Sequence, residues 1–223
     1  MTAAPMAQTV VITGGQGSLA RKIQTHLREQ EPNWTIHCPS RQELDVTADA
    51  SLREYFSIHS CDLLIAAAGE TRDQPLARAS STEWDRLLQS NLRGAAFAAK
   101  YAAKHMLRER CGHVIFLGSY SAFHPPIGQV AYASAKAGLI GLTHSLAREW
   151  GRANIRVNLI LPGFLENRMT VNVSPDRQEE VKNMHCLQRY NTEESVAAFV
   201  HSLHTKLPHT SGQIFNLDSR ILA

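Results

Sequence analysis

The chain has 223 residues, 43% of them hydrophobic, and 23 Lys and Arg against 20 Asp and Glu leave a net charge of +3. That length and apolar share suit one α/β domain with a full core and argue against a disordered chain. The small, dispersed positive excess gives no basis for a nucleic-acid partner, and no apolar run approaches the roughly 20 residues of a membrane span.

The first residues, MTAAPMAQ, carry no basic stretch ahead of an apolar one, so no secretory leader is expected. Thr9–Thr13 (TVVIT) reads as a buried strand, and a glycine-rich turn follows it. Ser18–Gln30 reads as a helix, with Leu19, Ile23 and Leu27 at helical spacing. Trp34–Cys38 reads as a second strand, and Leu44–Val46 as a short third one. Ala48–His59 has helical spacing through Leu52, Tyr55 and Phe56, and Asp62–Ala67 is a further apolar strand. One long helix is expected over Thr82–Arg110, then a strand at His113–Leu117. Val130–Trp150 reads as a helix with Gly151 as its C-cap, and Ile155–Leu161 as a strand stopped by Pro162-Gly163. A helical stretch at Glu179–His185, a helix from an N-cap at Thr192 to His204, and a strand at Gln213–Leu217 complete the chain.

Strands alternating with helices, most of them continuously apolar, imply a doubly wound Rossmann-type parallel sheet with helices on both faces. With no repeat or linker, residues 1–223 are expected to form a single domain. The four cysteines, Cys38, Cys61, Cys111 and Cys186, form no CxxC pair and read as reduced thiols in a cytoplasmic protein.

The turn Thr13-Gly14-Gly15-Gln16-Gly17-Ser18-Leu19-Ala20 lies where a strand meets a helix N-terminus. There, backbone N–H groups and the helix dipole suit a pyrophosphate, and glycines let it come close. An acid at the end of the second strand would bind a ribose 2′-hydroxyl. Instead the sequence runs His37-Cys38-Pro39-Ser40-Arg41, and a guanidinium matches a 2′-phosphate. NADP(H) is therefore expected over NAD(H), with a solvent-facing Arg41 as the alternative. Tyr132 and Lys136 stand four apart in a helix, which puts phenol and ammonium on one face. A cation at that position is expected to lower the phenol's pKa.

In this order and spacing the motifs resemble those of the short-chain dehydrogenase/reductase family, over nearly the whole chain, nearest to its 3-oxoacyl-carrier-protein reductases. Thr13–Ala20 is similar to the family's cofactor turn, Asp45-Val46 to its adenine-contacting pair, and Ala66-Ala67-Ala68-Gly69 to its Asn-Asn-Ala-Gly motif. Asn91, Ser119, thirteen residues before Tyr132, and the Tyr132/Lys136 pair match the catalytic positions. Pro162-Gly163 matches the turn beside the nicotinamide.

The resemblance implies an NADP(H)-dependent oxidoreductase moving a hydride between nicotinamide and a carbonyl or secondary alcohol. Its substrate would be a small molecule or carrier-bound and possibly of 3-oxoacyl type; no metal, nucleic acid or membrane takes part. It implies that Ser119 stabilises the substrate oxygen, Tyr132 transfers the proton, Lys136 holds the nicotinamide ribose and Asn91 anchors a relay water. Cofactor contacts are expected from Gly14, Gln16, Gly17, Ser18, Leu19, Ser40, Arg41, Asp45, Val46, Ala67, Ala68, Gly69, Asn91, Tyr132, Lys136, Pro162, Gly163 and Leu165. Residues 164–189 resemble the substrate loop and lid, in which Arg168, Arg177 and Lys182 read as surface charge. A homotetramer or dimer through Thr82–Arg110 and Val130–Trp150 is also implied.

The sequence departs from the family at Ser18 and Ala20, which replace two glycines, and at Ala66 and Ala67, which replace two asparagines. Asn167 stands where many members have a carboxamide-binding threonine. Gly14 and Gly69 are only 55 positions apart. The chain is thus shortened between the second and third strands, and a covering helix between Arg41 and Asp45 is expected to be missing, leaving one face barer. A non-catalytic dinucleotide-binding sensor or scaffold is the alternative reading. His201-x-x-His204 is expected on a solvated helix face rather than at a metal.

Overall fold

A computed structural model describes residues 8–167, 169–171 and 173–222; Arg168 and the first seven residues, on which the leader expectation falls, lie outside them. Its strands are β1 (Thr9–Ile12), β2 (Thr35–His37), β3 (Leu63–Ala66), β4 (Gly112–Leu117), β5 (Ile155–Leu161) and β6 (Ile214–Asn216). They pair in parallel in the order β2-β1-β3-β4-β5-β6, with Val11 beside Leu64 and Ile115 beside Asn158 in the register. The order reverses at β1, so a crevice opens above its carboxyl end, where such sheets bind ligands.

The helices are α1 (Ser18–Gln30), α2 (Asp49–Ile58), α3 (Ser81–Leu88), α4 (Gly94–Glu109), α5 (Val130–Trp150), α6 (Pro175–Asn183) and α7 (Glu193–Thr205). Side chains alternate between faces along each strand. Val10, Ile12, Leu63, Ile65 and Ile115 pack on Ile23 and Leu27 of α1 and on Val196 and Val200 of α7. Val11, Leu64, Val114 and Phe116 pack on Leu52 of α2, Ala98 and Met106 of α4 and Leu139 of α5.

Two helices thus cover one face and three the other. No helix lies between Arg41 and Asp45, as the short spacing implied. The Leu44–Val46 strand does not form. Ser40 folds the segment into a turn, its carbonyl accepting from Glu43 N and Leu44 N. Leu44 and Val46 still reach the core, 3% and 7% exposed, from this loop. Their apolar spacing records burial without a strand to pair with, and β2 is left as the sheet edge.

Three boundaries also differ from expectation. The helix over Thr82–Arg110 is interrupted by a π-turn at Gln89–Arg93, which joins α3 to α4. Gly151 is helical, with φ −57°, and the left-handed exit falls on Asn154 after a short 3-10 turn. The helix expected from Glu179 starts at Pro175, where Ser174 caps it by accepting from Arg177 N.

His204 is not solvated. Asn158 Nδ2 donates to His113 Nε2 at 3.0 Å, and its Oδ1 accepts from Gln213 N, which fixes the amide. His113 must then carry its proton on Nδ1 and donate it to His204 Nδ1 at 3.2 Å. His204 in turn donates from Nε2 to Gln8. This chain of neutral imidazoles pins α7 to β4 and β5. Among the described residues no cluster could hold a metal ion.

Candidate active site

The expected residues lie on the segments that follow β1 to β5, on the π-turn that carries Asn91, and on α5, which carries Tyr132 and Lys136. The turn between β1 and α1 needs its glycines. Gly14 has φ +73°, and a Cβ there would lie 2.8 Å from Ala68 Cα. A Cβ on Gly15 would lie 2.1 Å from the Cys38 carbonyl oxygen, at the end of β2. Gly17 is exposed at the helix mouth, and α1 has neither a side-chain cap nor an acid in its first turn. Orphan N–H groups without a cap of their own, in a cradle that a Cβ would fill, fit a dinucleotide's diphosphate. Gln16 is exposed there, and Ser18 and Leu19 open the helix.

Thr13, unassigned by the sequence reading, holds the segment Ala67-Ala68 after β3. It is 1% exposed, and its Oγ1 accepts from Ala67 N at 3.1 Å and Ala68 N at 3.0 Å. The hydroxyl locks the end of β3 to the glycine turn. Thr13→Val would leave the Ala68 amide without an acceptor, while Ala67 N keeps the Ile65 carbonyl at 3.1 Å, and should cost about 1–2 kcal/mol in denaturant melts.

At the adenine end, Arg41 is exposed and its Nε lies 3.4 Å from Asp45 Oδ2. Asp45 Oδ1 accepts from both Thr47 N and Thr47 Oγ1. Its carboxyl is held below the usual range: burial opposes ionisation, but Thr47 and Arg41 outweigh it. Ser40 N donates to Glu43 at 2.7 Å, and Val46 packs under Gly94.

The four candidate catalytic side chains converge. Ser119 follows β4, and its hydroxyl accepts from Ser121 N at 3.1 Å. It also neighbours the Tyr132 phenol and draws that group's pKa down. One helical turn on, Lys136 Nζ lies 5.7 Å from the Tyr132 ring centre and donates to Leu117 O at 2.8 Å. A Cβ on Gly69 would lie 2.6 Å from Asn91 Oδ1 and 3.6 Å from Lys136 Nζ, so those groups meet over that glycine. Asn91 sits in the π-turn. Its Oδ1 accepts from Glu70 N and its Nδ2 donates to Glu70 O at 2.8 Å, which fixes the loop after β3.

The electrostatics differ from expectation. Burial raises the Tyr132 pKa above the phenol's ordinary value; the Ser119 hydroxyl works against this, and the Asp73 carboxylate adds to it. The Lys136 ammonium donates to the Leu117 carbonyl rather than to the phenol. Burial brings Lys136 itself down to about 8.

On the far side, Gly163 has φ +89° and lies against Asp218, while Asn191 Nδ2 donates to Pro162 O at 2.8 Å. Leu165 is buried and its carbonyl accepts from Thr170 Oγ1. Beyond it, Phe164, Glu166, Asn167, Thr170, Val171 and Gln178 line a cleft of about 460 Å³. That volume falls within the range of small-molecule sites. The opposite rim is tied by Gln74 N to Gly128 O and by Gln129 to Asp73.

Comparison with known proteins identifies the family. A family described as Enoyl-(Acyl carrier protein) reductase matches residues 5–219. The 3-oxoacyl-[acyl-carrier-protein] reductase of Aquifex aeolicus is 29% identical over 221 residues, covering 96% of this chain and 88% of that protein. The enzyme of that name from Salmonella typhimurium is 38% identical over 140 residues, covering 60% of this chain and 57% of that protein. A crystal structure of a putative gluconate dehydrogenase from Agrobacterium tumefaciens superposes with a TM-score of 0.85 at 22% identity, covering 95% of this chain and 94% of that one. The last likeness speaks for the fold alone. The chain belongs to the short-chain dehydrogenase/reductase family and is an NAD(P)-dependent oxidoreductase of that family.

Proposed function

We propose that the protein reduces a 3-oxoacyl thioester, carrier-bound, with NADP(H) in preference to NAD(H). The observation that carries this reading is the convergence of Ser119, Tyr132, Lys136 and Asn91 beside the glycine turn. A bound nicotinamide supplies the hydride in reduction or takes it in oxidation. Gly14, Gln16, Gly17, Ser18 and Leu19 hold its diphosphate end, and Ser40, Arg41, Asp45 and Val46 its adenine end. Ala67, Ala68, Gly69, Pro162, Gly163 and Leu165 wall the space between Asn91 and the lid, and Lys136 holds the ribose.

Ser119 Oγ donates to the substrate carbonyl and stabilises charge growing on its oxygen. Tyr132 Oη gives that oxygen its proton. The phenol gives up its proton in reduction and takes one back in oxidation. Lys136, near 8, is the proton source behind it. Asn91 acts through the Glu70 loop, because both ends of its amide are already bonded to it.

Residues 164–189 act as the lid over the cleft. The 3-oxoacyl substrate class, the carrier and a cytoplasmic setting rest on the relatives named above. So does assembly into a dimer or tetramer through α4 and α5. No described helix is long and apolar enough to cross a membrane.

The test is consumption of NADPH and of NADH with an acetoacetyl-carrier-protein thioester. NADPH should be preferred, and Arg41→Ala should raise its KM about tenfold while leaving NADH unchanged. Equal effects on both cofactors would remove the 2′-phosphate role of Arg41. Failure to reduce the thioester beside reduction of simple ketones would remove the acyl substrate.

A further inference from the structure

The glycine turn already has an anion beside it. Glu193, the first residue of α7, reaches across to the mouth of α1. Its Oε1 accepts from Ser18 Oγ at 2.6 Å and from Asn167 Nδ2 at 3.0 Å. Ser18 belongs to the turn, and Asn167 to the segment after Pro162-Gly163. One carboxylate oxygen therefore joins the two sides of the cofactor crevice.

Among the described residues no cation forms an ion pair with this carboxylate, and Lys22 attracts it only at longer range. Lys22 pairs with Glu194 at 2.6 Å, and Arg21 donates from Nε to Gly15 O. α1 supplies no acid or cap of its own, so the carboxylate stands where its N-terminal dipole favours negative charge.

We propose that Glu193 is an intramolecular anionic latch that competes with the cofactor's diphosphate for this turn. The proposal rests on the dinucleotide reading of the turn. A carboxylate and a diphosphate repel each other in a partly buried crevice, so binding must draw Glu193 away. In leaving, it releases Ser18 and Asn167 together. Cofactor entry and freedom of the lid segment then become one event, and wild-type affinity is lowered by the cost of opening the latch.

Glu193→Gln keeps an oxygen acceptor for Ser18 and Asn167 and removes only the charge. Dissociation constants for NADP⁺ and NADPH, measured by calorimetry, should fall about tenfold relative to wild type. The difference should shrink as salt is raised. Adenosine 2′-monophosphate, which reaches the adenine end but carries no phosphate to the glycine turn, should bind both proteins within twofold. Equal dinucleotide affinities in wild type and variant would overturn the latch and leave the dinucleotide reading standing. An equal gain for adenosine 2′-monophosphate would also overturn it, by showing a general charge effect. Folded wild type and variant that bind neither NADP(H) nor NAD(H) would overturn the dinucleotide reading itself, and the latch with it.

Discussion

Tyr132→Phe should lower turnover by roughly 10²- to 10⁴-fold while leaving the cofactor's dissociation constant within about twofold. The substitution deletes one oxygen and keeps the ring that packs in α5. The glycine turn, built by β1, α1 and the Thr13 hydroxyl, does not touch that oxygen. Ser119 and Lys136 remain in place, because their other bonds run to Ser121 N and Leu117 O. What disappears is the proton donor, so the loss should appear in kcat with little change in KM. Turnover within tenfold of wild type would mean that another group delivers the proton. A binding protein acting as a sensor or scaffold would lose nothing at all.

The second large effect is on stability and comes from the imidazoles behind α7. Burial, then the Arg156 guanidinium, then the His204 ring hold His113 well below the ordinary value. His204 is pushed down to about 3 by burial, Arg156 and His201. The native state therefore keeps both rings neutral under mild acid, while the unfolded chain protonates them near 6.5. Above about pH 7.5 neither state binds the protons, and stability is unaffected. Below 6.5 the unfolded chain gains protons that the native chain refuses, so stability falls with pH. Between pH 7.5 and 5 the loss should be about 2 kcal/mol per imidazole, roughly 4 kcal/mol for the pair. His37, lowered by burial and His59, adds in the same direction. Urea melts at the two pH values measure this, and His204→Gln should remove about half of the pair's share. A midpoint that does not move between them would show that the His113–His204 chain opens readily.

Much of this fold was legible because its strands are buried on both sides. Continuous apolar runs marked β1, β3, β4 and β5, and α1, α5 and β5 carry the expected boundaries. Leu44–Val46 misled because burial and strand pairing leave the same apolar signature in three residues. The candidate catalytic positions came from a resemblance in order and spacing, since an isolated Tyr and Lys four apart carry little information. Their electrostatics were not, because the direction in which Lys136 points depends on the Leu117 carbonyl at the end of a distant strand. Glu193 and Thr13 were missed for a related reason. Glu193 meets Ser18 across 175 positions and Thr13 meets Ala68 across 55, and neither contact leaves a local pattern. The His204 error came from reading one helix face without knowing that β4 presents His113 to it.

The central claim is that the crevice above β1 brings a nicotinamide and a substrate carbonyl together at Tyr132. Incubation with nicotinamide-deuterated NADPH or NADH and the acetoacetyl thioester, followed by mass analysis of the product, addresses it directly. The account predicts one deuterium on the new carbinol carbon with wild type and almost none with Tyr132→Phe. Product formed without deuterium, or deuterium transferred equally well by the phenylalanine variant, would contradict it.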